Sequence, residues 1–116
     1  MENNPCIFCK IIKKEIPAKI VFEDNNVLAF EDISPQAPVH ILIVPKTHIE
    51  KLSDISEESA AIIGKLTLTA NALADKTKID SSGYRVVVNC GHDAGQAVSH
   101  LHMHLLGGRP MGWPPG

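Results

Sequence analysis

Apolar positions along the chain change period several times, and each change predicts an element. In C-I-F-C-K-I-I-K-K-E-I the residues Ile7, Phe8, Ile11 and Ile12 form a short helical stripe, stopped by Pro17. I-V-F-E-D and V-L-A-F-E-D then read as two β-rich runs around an Asn25-Asn26 turn. Two prolines in I-S-P-Q-A-P forbid regular structure, and H-I-L-I-V-P predicts a buried strand ended by Pro45. Ser56 predicts a helix N-cap, with Glu57 and Glu58 in the first turn where the helix dipole favours anions. The helix is expected to run to the neighbourhood of Lys78, with Ile62, Ile63, Leu66, Ala70, Leu73 and Ala74 at helical spacing. Y-R-V-V-V-N predicts a fourth strand, G-H-D-A-G-Q a loop, and L-H-M-H-L-L a fifth strand. The tail G-G-R-P-M-G-W-P-P-G, with three prolines and four glycines, fits neither helix nor central strand.

Five strands, one short and one long helix, and hairpin-like connections predict an α+β fold with an antiparallel sheet. At 116 residues the chain reads as one domain over 1–116. The net charge of −2 provides no broad positive field, so nucleic acid is not the expected partner. The longest apolar runs, such as 41–44, are too short to span a bilayer, and M-E-N-N-P-C lacks a secretory pattern. A cytoplasmic protein with no membrane partner is expected. There a C-x-x-C pair, Cys6 and Cys9, points to a metal or redox element rather than a structural disulfide. His92 and the lone Cys90 receive no role.

Six histidines are present, and three of them fall in S-H-L-H-M-H-L-L as His100, His102 and His104. On a strand these alternate positions share one side, while Leu101, Met103 and Leu105 point to the other, toward a core. Outer residues of such a row stand roughly 13 Å apart, which argues against one metal ion held by all three. A division of labour is easier, and a neutral imidazole is also a nucleophile suited to phosphorus. Such a site needs donors for the phosphate oxygens and a proton for the leaving group. Flanking histidines and the loop Gly95-Gln96-Ala97 are placed to supply them.

H-L-H-M-H-L-L fits the alternating signature of the histidine triad superfamily. Together with D-I-S-P-Q-A-P-V-H, A-G-Q-A-V-S-H and the W-P-P-G tail, the chain closely resembles the Hint branch over nearly its whole length. The resemblance implies hydrolysis of purine nucleoside 5′-phosphoramidates (and acyl-adenylates) through a covalent nucleotidyl-histidine, releasing the nucleoside monophosphate. His102 would attack the α-phosphorus, His104 would contact phosphate and assist proton transfer, and His40 would complete a catalytic set that includes His100. Asp32 would bind the ribose and Ile33 would follow it at the sugar and base. Asn89, Gly95, Gln96 and Ala97 would lie on the phosphate side, with Ile7, Phe8, Ile11 and Phe30 lining the base pocket. Relatives often carry serine at Ala97, so a hydroxyl donor to phosphate is absent and weaker phosphate contact is expected.

The resemblance also implies a structural zinc ion on Cys6, Cys9, His48 and His100, with no organic cofactor. It implies a homodimer whose two five-stranded sheets join across the subunits. The tail 107–116 would contact the partner, bringing Trp113 near the neighbouring pocket.

Overall fold

The computed structural model describes residues 6–116, and the M-E-N-N-P stretch lies outside the described residues. In order come α1 (Ile7–Ile12), β1 (Ile20–Glu23), β2 (Val27–Glu31), β3 (Val39–Pro45), α2 (Ala61–Lys76), β4 (Tyr84–Val87) and β5 (Met103–Gly107). A 3-10 turn at Leu52–Asp54 lies between β3 and α2. All pairings are antiparallel and the strand order is β1-β2-β3-β5-β4, in agreement with the α+β expectation.

Strand β3 is apolar at nearly every position because both faces of the sheet are covered. On one face Val27, Ala29, Ile41, Ile43, Met103 and Leu105 meet Leu66, Ala70, Leu73 and Ala74 of α2. On the other, Leu28, Phe30, Leu42 and Val44 meet Phe8 and Ile11 of α1. Burying a side chain such as Leu66 or Phe8 contributes about 1.5–3 kcal/mol, so each helix is held chiefly by its inward stripe. The Asn25-Asn26 turn forms as expected. Asp24 shapes it, its Oδ1 accepting the amides of Asn26 and Val27 at 2.8 Å each.

Two elements start two or more residues later than the sequence predicts, and β4 ends at Val87, short of the expected Asn89. Helix α2 begins at Ala61, and Ser56 is not its N-cap. The Ser56 amide donates to Ser59 Oγ at 3.0 Å. The amides of Ser59, Ile62 and Ile63 bond three residues back, which winds the lead-in more tightly than an α-helix. Strand β5 begins at Met103 rather than Leu101. Its last pair toward β3's C-terminal end is Ile43 with Met103. Beyond it Pro45 has no amide to donate, and its carbonyl accepts His100 Nε2–H at 2.9 Å. The ladder therefore stops before His100 and His102. The alternation survives even so, with Leu101, Met103 and Leu105 in the α2-side core.

Candidate active site and metal centre

Register carries His104 to its partners. Leu42 pairs with His104 and His40 with Leu106, so His40 and His104 share the α1 side of the sheet. His40 Nε2 lies 2.9 Å from His104 Nδ1 and 3.4 Å from Asp32 Oδ2. The Gln36 amide donates to His40 Nδ1 at 3.0 Å. That places the neutral imidazole's proton on Nε2, where His104 Nδ1 accepts it. His104 in turn carries its own proton on Nε2. Burial, followed by the charges of His102 and His40, pushes the His104 pKa down to about 4, against a smaller opposing pull from Asp32. Burial likewise lowers that of His40, against the opposing charge of Asp32.

His102 is buried, and its Nδ1 lies 2.7 Å from the His100 carbonyl oxygen. A carbonyl only accepts, so Nδ1 holds the proton and Nε2 presents a lone pair. The His102 ring meets Phe8 at 5.1 Å on one side and His104 at 5.0 Å on the other, both edge-on. Its two ring neighbours, Phe8 and His104, each line a cavity that His102 itself does not line. One, of about 480 Å³, is lined by Ile7, Phe8, Ile11, Phe30, Asp32, Ile33, Leu42 and Val98. The other, of about 250 Å³, is lined by His40, His104, Asn89, Arg85, Arg109 and tail residues. The first volume falls within the range of small-molecule sites.

Of the expected residues, Ile7, Phe8, Ile11, Phe30, Asp32 and Ile33 share the larger cavity and His40, His104 and Asn89 the smaller, whereas Gly95, Gln96, Ala97 and Trp113 line neither. Asp32 divides its carboxylate, Oδ1 accepting the Ser34 amide at 2.7 Å while Oδ2 faces His40. Ile33 is 99% exposed at the cavity rim. The amides of Gly95 and Gln96 donate to His92 and Gly91 carbonyls inside their own loop. The Gln96 side chain is spent as well, accepting the Gly91 amide and donating to the carbonyls of Val98 and, outside the loop, Glu50. Ala97 lies beside Cys6, Ile7 and His48 at a third cavity. Trp113 is 83% exposed and stands against Arg85 of its own chain, 6.0 Å from guanidinium to ring. His92 is exposed beside Asp93.

Four further contributors had no signature in the sequence. The Gln36 amide and the Pro45 carbonyl set tautomers through the backbone, which any residue supplies. Arg85 donates to the Gly112 carbonyl at 2.9 Å, and Arg109 Nε to the Gln36 carbonyl at 3.0 Å. The tail is thereby pinned to the loop that orients His40.

Cys6, Cys9, His48 and His100 gather at the other end of the triad segment, with one ligand atom from each lying within 4.8 Å of all the others. His100 Nδ1 lies 3.3 Å from Cys6 Sγ, 3.6 Å from Cys9 Sγ and 3.1 Å from His48 Nδ1. Cys9 Sγ lies 3.2 Å from His48 Nδ1. A tetrahedral zinc site has ligand–ligand edges of roughly 3.3–3.8 Å, from Zn–S and Zn–N lengths of about 2.3 and 2.05 Å. The donor set, its spacing and the tautomer fit: His100 Nε2–H is spent on Pro45, which leaves Nδ1 for a metal. Burial also lowers the His100 pKa, favouring the neutral form a metal requires.

The HIT domain family matches residues 13–111. The chain belongs to the HIT family. It is 50% identical over 118 residues to a 14 kDa zinc-binding protein of Zea mays, covering 100% of this chain and 91% of the relative. It is 49% identical over 116 residues to the adenylylsulfatase HINT1 of Arabidopsis thaliana, covering 98% and 78%. A HIT family hydrolase from Legionella pneumophila Philadelphia 1 superposes with a TM-score of 0.94 at 50% identity, covering 96% of this chain and 99% of that one. In this HIT protein no helix among the described residues is long and apolar enough to cross a membrane.

Proposed function

We propose that this HIT protein hydrolyses purine nucleoside 5′-phosphoramidates and acyl-adenylates through a nucleotidyl-His102 intermediate. The observation that carries the reading is the bond from His102 Nδ1–H to the His100 carbonyl, which in the neutral ring leaves the Nε2 lone pair available for attack. The apolar cavity on the Phe8 side takes the base, with Asp32 at the ribose. The tail-walled cavity on the His104 side takes the leaving group, with Asn89 at its wall.

His102 Nε2 attacks the α-phosphorus, and the carbonyl at Nδ1 stabilises the positive charge that develops on the ring. The bound phosphate anion favours protonated His104, opposing the burial that keeps it neutral in the empty site. The departing amine takes this proton as the P–N bond breaks. Water then attacks the nucleotidyl-histidine, its proton returns to the histidine pair, and the nucleoside monophosphate leaves. The Arabidopsis relative's name supports a leaving group carried on an adenylyl phosphorus.

Cys6, Cys9, His48 and His100 would hold zinc, a reading supported by the donor geometry and by the Zea mays relative's name. Bound there, zinc supplies structural cross-linking and no reacting atom. The reduced cluster suits the cytoplasm. The chain would act as a homodimer: β4 is an edge strand with exposed Tyr84 and Val86, and Leu68 of α2 is exposed as well. The tail would contact the partner at this side.

The test is hydrolysis of adenosine 5′-phosphoramidate with intact-mass analysis of enzyme quenched and kept at alkaline pH, where a phosphorus–imidazole bond survives. An adenylylated species lost in His102→Ala is expected, and wild-type turnover without any adduct would refute the covalent route.

A further inference from the structure

We propose that the Cys6–Cys9–His48–His100 cluster is a tether through which metal occupancy governs nucleotide affinity. The inference rests on the nucleotide-binding reading above and adds a regulation of that site. Helix α1 spans six residues, far below the length at which an isolated helix persists. Its position is therefore imposed by anchors. One is the apolar seat of Phe8 and Ile11. The other is the cluster, since Cys6 caps the helix, its Sγ accepting the Cys9 amide at 3.4 Å, and both thiols reach His100.

The same short helix forms a wall of the larger cavity, through Ile7, Phe8 and Ile11. Phe8 further meets the rings of Phe30 at 5.4 Å, His100 at 5.9 Å and His102 at 5.1 Å. Two of the four metal ligands, the cavity wall and the ring packed against His102 thus lie together on this one short helix and its cap. Releasing the thiols from the histidines frees the end of α1 that faces the cavity, without touching the sheet or α2. A nucleotide then binds only in the fraction of molecules with α1 docked, and the apparent affinity falls by that fraction.

His48 provides a clean lever. It is exposed, follows β3, and lines neither the large cavity nor the histidine pair. Calorimetric binding of adenosine 5′-monophosphate would be compared for zinc-loaded, chelator-stripped and zinc-restored protein, and for His48→Ala. The expected result is a Kd raised about tenfold on stripping, as for a wall docked a tenth of the time. Zinc should restore it in wild type, and His48→Ala should resemble the stripped state. Amide exchange locates the effect. Faster exchange confined to 6–16 is expected, whereas equal acceleration across α2 and β3 would show that the cluster holds the whole fold and would overturn the tether. An unchanged Kd in folded, stripped protein would also overturn it. Loss of phosphoramidate turnover with metal-dependent nucleotide binding intact would instead fail the hydrolase reading alone.

Discussion

His102 Nδ1 sits 2.7 Å from the carbonyl oxygen of His100, its neighbour two residues back. One residue thereby sets the tautomer of another through main chain alone, while its own ring turns to the cysteines. If His102 is the nucleophile as proposed, His102→Ala should lower kcat at least about a thousandfold, the scale on which a lone covalent residue acts. The fold should persist. Single-turnover kinetics of phosphoramidate hydrolysis check it, and a loss below tenfold would assign attack elsewhere.

His40 and His104 share a 2.9 Å bond whose direction is set by the Gln36 amide. In His40→Phe the acceptor of that amide and the donor to His104 both vanish. A kcat fall of about 10–100-fold is expected, the usual cost of losing an orienting partner, with KM moving far less. A change confined to KM would place His40 in binding instead.

Burial first, then His102 and His40, hold His104 near a pKa of about 4, below the ordinary 6.5. The unfolded chain takes up this proton near 6.5, the folded one only near 4, so the unfolded state binds more protons between the two values. Stability should therefore fall as pH drops from 6.5 toward 4 and be unaffected by this group above 6.5. His40, lowered by burial, adds in the same direction. Thermal melts at stepped pH should show the decline, with a shallower slope in His104→Gln. Equal slopes would contradict the assignment.

Gly107 ends β5, and a Cβ there would run into Ile79 Cδ1 and come within 3.1 Å of Ile79 Cγ2. Gly107→Ala should destabilise by about 1–3 kcal/mol through overpacking. Adding Ile79→Val, which removes the offending methyl, should recover part of that loss. Urea titration of the single and double variants measures it, and simple additivity would exclude the clash.

The edge position of β4 gives the dimer proposal its own check. Val86→Glu introduces a charge among exposed apolar residues and should shift sedimentation from twice the chain mass to once. An unchanged dimer would move the interface away from β4.

Much of this architecture is local and was legible in the chain. Period-two alternation in L-H-M-H-L-L places Leu101, Met103 and Leu105 in the core, and helical spacing places Leu66, Ala70 and Leu73 against them. Turn chemistry at Asp24-Asn25-Asn26 is equally local. The start of β5 was not, because it depends on a partner far along the chain: Pro45 ends the ladder by lacking an amide and offering its carbonyl to His100. The start of α2 turned on a local contest instead, in which the Ser56 amide bonds Ser59 Oγ and the lead-in winds more tightly.

The site divides along the same line. Residue type and alternation were enough to single out three histidines on one side and to argue that one metal cannot serve them all. Which histidine meets which partner is a matter of register. Pairing Leu42 with His104 brings His40, sixty-four positions away, to 2.9 Å. The loop after β3 carries His48 to Cys9. Tautomers were settled last, by the Gln36 amide and the carbonyls of Pro45 and His100. Every residue possesses such backbone groups, so only folded distance selects the few that act.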